Sequence, residues 1–185
     1  YKITAEAILA TDEDLTNNKD TKSIFIKAPP IASFTFSPIE PIVAETVTFN
    51  ASASYDPDLG GEIVSYAWDF GDGTTKVYVK DVNLTAITTH AYTAAGTYTV
   101  TLNVTDKDSL TDTATTDVKV LLHDIAITNV TASPNKVKIG EPVSINVTVV
   151  NQGTEKETFN VTVYYDDTII ETRSVTELAS GASQS

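Results

Sequence analysis

Residues 96–106 read GTYTVTLNVTD, with Tyr98, Val100, Leu102 and Val104 on one parity and Thr97, Thr99, Thr101 and Asn103 on the other. Alternation of period two sustained over that length commits the segment to an extended strand with one face in a core and the other in water. Coiled into a helix, the same residues would scatter valine and threonine around its whole circumference. The pattern recurs through Ala32, Phe34 and Phe36, through Val47 and Phe49, through Val64, Tyr66, Trp68 and Phe70, and through Val118 and Val120. Further along, Val143, Ile145, Val147 and Val149 share one phase, as do Phe159, Val161, Val163 and Tyr165. Glycine- and aspartate-rich breaks such as GDG, NQGT and YDDT separate the runs, so the fold class is all-β, built of antiparallel β-sandwiches with one wet face per sheet.

At 185 residues the chain has room for two such sandwiches, or for one with fragments of others. It has neither cysteine nor methionine, so no disulfide, thiolate metal site or cysteine nucleophile exists and packing alone must stabilise the sheets. A formal net charge of -13 opposes binding to phosphate backbones and to anionic lipid, which excludes nucleic acid as the expected partner. No apolar run approaches the length needed to cross a bilayer as a helix, so direct membrane insertion of this segment is not expected.

The middle of the chain carries two motifs. YDPDLGGEIVSYAWDFGDGT (residues 55–74) is followed by HAYTAAGTYTVTLNVTD (residues 90–106), and together they resemble the polycystic kidney disease (PKD) domain, with its WDFGDG hexapeptide and later H-x-Y-x-x-x-G-x-Y-x-V-x-L-x-V run. Two departures stand out: Leu59 is inserted before the glycines, and the link over residues 76–89 is long. That link is where specific contacts with a neighbour are expected. The hexapeptide also has a reading of its own. Trp68 and Phe70 fall on the inward phase, while Gly71 and Gly73 permit a tight turn that Asp69 and Asp72 can brace through their side chains.

From His123 the sequence HDIAITNVTASPNKVKIGEPVSINVTVVNQGT resembles the opening of CARDB, a cell-adhesion-related immunoglobulin-like sandwich of prokaryotes. YKITAEAILATDEDLTNNKDTKSIFIK (residues 1–27) resembles the closing part of the same family. These resemblances imply tandem immunoglobulin-like sandwiches: the C-terminal part of one CARDB-like unit over 1–28, a PKD-like unit over 29–121, and the N-terminal part of a second CARDB-like unit over 122–185. The expectation is an internal stretch of a longer repeat protein in which neighbouring copies or adjoining chain complete each sandwich.

Six N-x-Ser/Thr sequons, at Asn50, Asn83, Asn103, Asn129, Asn146 and Asn160, occupy more of the ten asparagines than a threonine-rich sequence yields by chance. They are expected to carry N-linked glycans, and with the lack of cysteine they point to an exported archaeal surface protein. Asp56 and Asp58 are the candidate metal ligands, because calcium takes hard oxygen donors and some PKD domains bind it in this loop. The acidic group Asp12, Glu13 and Asp14 is a weaker candidate. Neither His90 nor His123 stands with a nucleophile or a carboxylate pair at catalytic spacing, so no enzymatic activity is expected. The leading expectation is a non-catalytic structural module of a cell-surface filament, stalk or coat, whose partners are copies of itself. The alternative is an accessory module of a secreted hydrolase or an adhesin, presenting aromatic side chains to surface or matrix polymers, for which Tyr164 and Tyr78 stand on the outward phase.

Overall fold

The computed structural model describes residues 2–6, 19–24 and 26–185, and among them the regular structure is entirely strand. Asp12, Glu13, Asp14 and the Asn17-Asn18 pair lie outside the described residues. The first strands, β1 (Lys2–Glu6) and β2 (Lys19–Ser23), pair antiparallel with Lys2 opposite Ser23 and Glu6 opposite Lys19.

Seven strands follow: β3 (Thr35–Ser37), β4 (Val47–Asn50), β5 (Ile63–Asp69), β6 (Thr75–Val79), β7 (Ile87–His90), β8 (Gly96–Asp106) and β9 (Thr111–Val120). They make a three-stranded sheet in the order β3-β4-β7 and a four-stranded sheet in the order β6-β5-β8-β9. The alternating parity of the sequence sends one side chain in two into the space between the sheets. There Val47, Phe49, Trp68, Phe70, Val100, Leu102 and Val104 are all but completely buried. Trp68 is the centrepiece. Its ring meets Phe34 edge-on at 5.2 Å and lies 5.8 Å from Phe49, a geometry that adds quadrupole attraction to burial. β5 ends where the hexapeptide turns. Gly71 sits at φ 78°, and a Cβ there would lie 2.7 Å from the Thr99 carbonyl oxygen, so only glycine allows the turn to lie against β8.

Tyr78 corrects an expectation. It is half-buried and packs on the core, because β6 pairs with β5 so that Tyr78 stands directly opposite the inward Tyr66, and its hydroxyl lies 2.8 Å from Thr88 Oγ1. The long link also becomes legible: residues 80–86 carry the chain from β6, an edge of one sheet, to β7 in the other.

The segment joining the two sandwiches is held on both sides. Leu121 donates its N–H to Pro41 O (2.8 Å) and accepts from Val43 N–H (2.9 Å), which fixes it to the first sandwich. Leu122 donates to Thr154 Oγ1 (2.9 Å) and accepts from Thr154 N–H (2.7 Å), which fixes it to the second. Gly153 lies so close that a Cβ would run into the Leu122 carbonyl oxygen and the Asp124 nitrogen. Lys119 and Glu155 add an ion pair across the same junction.

The last five strands are β10 (Ile125–Ser133), β11 (Ser144–Asn151), β12 (Glu157–Tyr165), β13 (Thr168–Leu178) and β14 (Ser183–Gln184). They form a three-stranded sheet, β10-β11-β14, facing a two-stranded one, β12-β13. Asp166 and Asp167 at the β12–β13 turn both take positive φ, which aspartate tolerates better than most residues. The junction end of this unit is organised around Asn151. That side chain is fully buried, donates to Glu155 O (2.7 Å) and Leu178 O (2.8 Å), and accepts from Gly153 N–H (2.9 Å). Away from the junction the packing thins. Only Val149, Val175 and Leu178 form a buried apolar cluster, while Ile145, on the same phase as Val149, is 42% exposed. Between the two sheets lies a cleft of about 150 Å³ walled by Ile145, Val147, Val161, Val163 and Val175.

Candidate functional site

The loop carrying Asp56 and Asp58 folds around its own carboxylates. Asp56 accepts from Asp58 N–H (3.0 Å) and Glu62 N–H (2.9 Å), which ties the start of the loop to its end across the Leu59 insertion. Asp58 faces the chain entering the sandwich: Ala28 N–H lies 3.3 Å from both of its oxygens, and Lys27 Nζ stands 4.0 Å from Asp58 and 2.9 Å from Asp108. The positive charge among these carboxylates is therefore a lysine ammonium. Beside them Asp106, which sequence reasoning passed over, is 1% exposed and closes the β8–β9 turn by accepting from Asp108 N–H and Leu110 N–H, both at 2.8 Å. Its place at the head of the DKDS turn is the signal that could have found it.

At the opposite end of β5, Asp69 and Asp72 both brace the hexapeptide turn. Asp69 accepts from Gly71 N–H (2.9 Å), and Asp72 accepts from Thr74 N–H (3.0 Å) and from the Thr74 hydroxyl (2.6 Å). The second oxygen of Asp72 meets His90 Nε2 at 2.7 Å, and the His90 ring stacks on Phe70 at 4.3 Å. Burial alone would push the Asp72 carboxyl up, but the bonds from Thr74 and His90 outweigh it and hold the carboxyl below the usual carboxylate range. A carboxyl depressed in the folded state stabilises that state above its unfolded pKa, near 3.9, and the contribution is lost as pH falls through the lower folded value. Replacing Asp72 with Asn is accordingly expected to flatten the fall in thermal midpoint below about pH 4. A scanning calorimetry series showing the same slope in both proteins would refute that role.

The sequons fall in different settings. Asn50, Asn83, Asn129, Asn146 and Asn160 are exposed, whereas Asn103 is half-buried on the outer face of β8 and donates to Thr113 Oγ1 (3.1 Å). Among aromatic side chains, Tyr164 (59%) and Tyr165 (70%) stand out at the far tip of the β12–β13 hairpin, beside exposed Ile169 and Ile170. His123 pairs with Glu157 at the junction and meets no nucleophile. Among the described residues no three histidine or acidic side chains converge as a metal site, and no helix is long and apolar enough to cross a membrane.

Stacked antiparallel sheets with tight polar turns define the class: immunoglobulin-like β-sandwich modules. The chain belongs to the PKD domain family, whose model matches residues 27–120, and the CARDB model matches residues 122–185. Both are accessory, non-catalytic module types. The microbial collagenase of Vibrio alginolyticus is 39% identical over 111 residues, covering 56% of this chain and 12% of that protein. The pre-pro-metalloprotease PrtV of Vibrio cholerae serotype O1 is 44% identical over 69 residues, covering 37% of this chain and 7% of that protein. The crystal structure of the PKD1 domain from Vibrio cholerae PrtV is 39% identical, with a TM-score of 0.41, covering 50% of this chain and 98% of that domain. The chain thus spans about an eighth or less of the length of these curated relatives.

Proposed function

We propose that this chain is an extracellular, non-catalytic accessory part of a secreted hydrolase, which holds a polymeric substrate or its surroundings close to the enzyme. The carrying observation is the 39% identity over 111 residues to a microbial collagenase of which this chain covers only 12%, a match confined to a small part of a much longer enzyme. The exposed Tyr164 and Tyr165 at the hairpin tip are the aromatic surface through which a fibrous protein or polysaccharide is gripped. The test is sedimentation of the chain with insoluble collagen, chitin and cellulose. Retention on one of the three is expected, with a Tyr164→Ala/Tyr165→Ala double variant losing several-fold of it. A protein that stays in the supernatant with all three would sink the reading.

Two other properties belong to the same proposal. N-linked glycans on the exposed sequons fit an exported protein, and a mass shift on enzymatic deglycosylation of native material tests them. Calcium at Asp56 and Asp58 requires the Lys27 ammonium to leave, since it occupies the positive position between Asp58 and Asp108. A Lys27→Met chain is therefore expected to bind calcium at least several-fold more tightly than the parent by isothermal titration. Equal affinity, or no heat in either protein, removes calcium from this loop.

A second reading, a cohesive unit of a surface filament or stalk, is favoured by the thin core and open cleft of the last sandwich. Proteins that leave sheet edges and apolar faces uncovered invite strand addition.

A further inference from the structure

One side of the first sandwich is apolar and bare. β6 is an edge of the four-stranded sheet and β7 an edge of the three-stranded one. The Tyr78 hydroxyl, 2.8 Å from Thr88 Oγ1, shows that the two edges are neighbours, with residues 80–86 running between them. Val77 and Val79 stand opposite Ala67 and Ser65, on the outer face of β6, and Ile87 precedes the buried Thr88 and points away from the core. With Leu84 and with Val82, 78% exposed, they form a belt of exposed apolar side chains between residues 77 and 87. The lysine of the link, Lys80, is turned to Glu62 (2.6 Å), and Asp81 takes up the turn at φ 64°. An edge strand lined in this way invites association unless something covers it.

At the centre of the belt lies the sequon Asn83-Leu84-Thr85. Asn83 is exposed and clasped to β6: its N–H donates to Val79 O (3.1 Å), and its Oδ1 accepts from Val79 N–H (3.0 Å). The amide is held by its oxygen, so Nδ2, the atom that takes an N-linked sugar, is left outside the clasp. Asn103 differs, because its Nδ2 is engaged in donating to Thr113 Oγ1. Val82 and Leu84 flank Asn83 in the chain and Val79 is bonded to it, so a sugar on Nδ2 starts in the middle of the belt.

We infer that an N-linked glycan on Asn83 covers this belt, laying the C–H faces of its sugars on Val79, Val82 and Leu84 and turning its hydroxyls to water. The bond forms between Nδ2 and the anomeric carbon of a phosphate-activated sugar donor. Nδ2 gives up one proton, and the phosphate carrier leaves with the bonding electrons. The Oδ1 acceptor is untouched, so the clasp to Val79 survives the modification. The bulk of the glycan also keeps other strands from the free edge of β6. This inference rests on the glycan reading above and assigns one asparagine a task within it.

Peptide mass spectrometry of native material is expected to find sugar on the peptide that contains Asn83. The function of that sugar is tested with Thr85→Ala, which abolishes the sequon and leaves Asn83 its clasp, and Thr85→Ser, which keeps the sequon; both are made in the glycosylating source. Thr85→Ala is expected to raise anilinonaphthalene sulfonate emission several-fold and to self-associate in sedimentation, while Thr85→Ser matches the parent. Made in a host that adds no sugar, the parent and Thr85→Ala are expected to bind the dye equally, and Val82→Ser to lower that binding in both. Trp68 emission checks that every variant keeps the first sandwich. Sugar on other sequons with Asn83 bare overturns this inference and leaves the glycan reading standing, whereas no sugar on any sequon removes both. Sugar on Asn83 with no change in dye binding for Thr85→Ala, or a difference that persists in the sugar-free host, also overturns it. So does a sugar-bearing parent that pairs with itself and loses the pairing on Val82→Lys, which would give the belt to a second copy.

Discussion

A Trp68→Ala chain is expected to lose about 3–5 kcal/mol of unfolding free energy, read as a large drop in the urea midpoint followed by far-UV circular dichroism. The indole is 1% exposed and touches Phe34, Phe49 and Phe70, rings drawn from both sheets, so its removal leaves a cavity that no single strand can close by shifting. Trp68→Phe makes the sharper comparison. The indole Nε1–H is buried without a hydrogen-bond partner among the described residues. Phenylalanine therefore gives up some packing volume but also removes an unsatisfied donor, and a net cost of about 1 kcal/mol or less is expected. If the alanine chain unfolds within 1 kcal/mol of the parent, the core of the first sandwich does not rest on this residue.

Asn151→Ala is expected to separate the chain into a folded half and an unfolded one. The substitution strips a partner from the buried Leu178 carbonyl and from the part-buried Glu155 carbonyl, while the Gly153 N–H keeps its bond to Asp124 O (3.1 Å). At about 1–3 kcal/mol for each buried group left unpaired, the penalty is about 2 kcal/mol or more. The last sandwich has little with which to absorb it, since its buried apolar cluster is Val149, Val175 and Leu178. The only tryptophan lies in the first sandwich, so Trp68 emission should keep the parent midpoint while part of the far-UV signal is lost before denaturant is added. A chain that keeps its full signal and unfolds in the parent's transition would show that Asn151 is replaceable.

Local periodicity carried most of the first sandwich. The parity of Tyr98, Val100, Leu102 and Val104 is set by the geometry of a strand, and any strand with that parity buries the same residues whatever lies opposite. Register between strands is a different matter. Tyr78 reads as outward in its own segment, and only the pairing that sets it across from Tyr66 turns it toward the core. The clasp between Asp72 and His90 was hidden for a related reason, since the two are eighteen residues apart and meet only when opposite sheets stack. In the second sandwich the phases of Ile145 and Val163 were readable, but parity says which face is apolar and not whether another strand covers it. The metal candidates show the same limit. The spacing of Asp56 and Asp58 places two carboxylates in one loop, and the lysine that stands beside them arrives from the segment that enters the sandwich, distant in sequence.

The junction at Leu121 and Leu122 bears on how such a molecule responds to tension. Consecutive residues are pinned to different sandwiches, Leu121 to Pro41 and Val43 and Leu122 to Thr154, so no slack tether lies between the modules. A pull along the chain has nothing to straighten there before it loads the sheets themselves. Stretching a single molecule should therefore show abrupt rupture of whole modules without a compliant first phase, as in a chain whose links are rigid and welded.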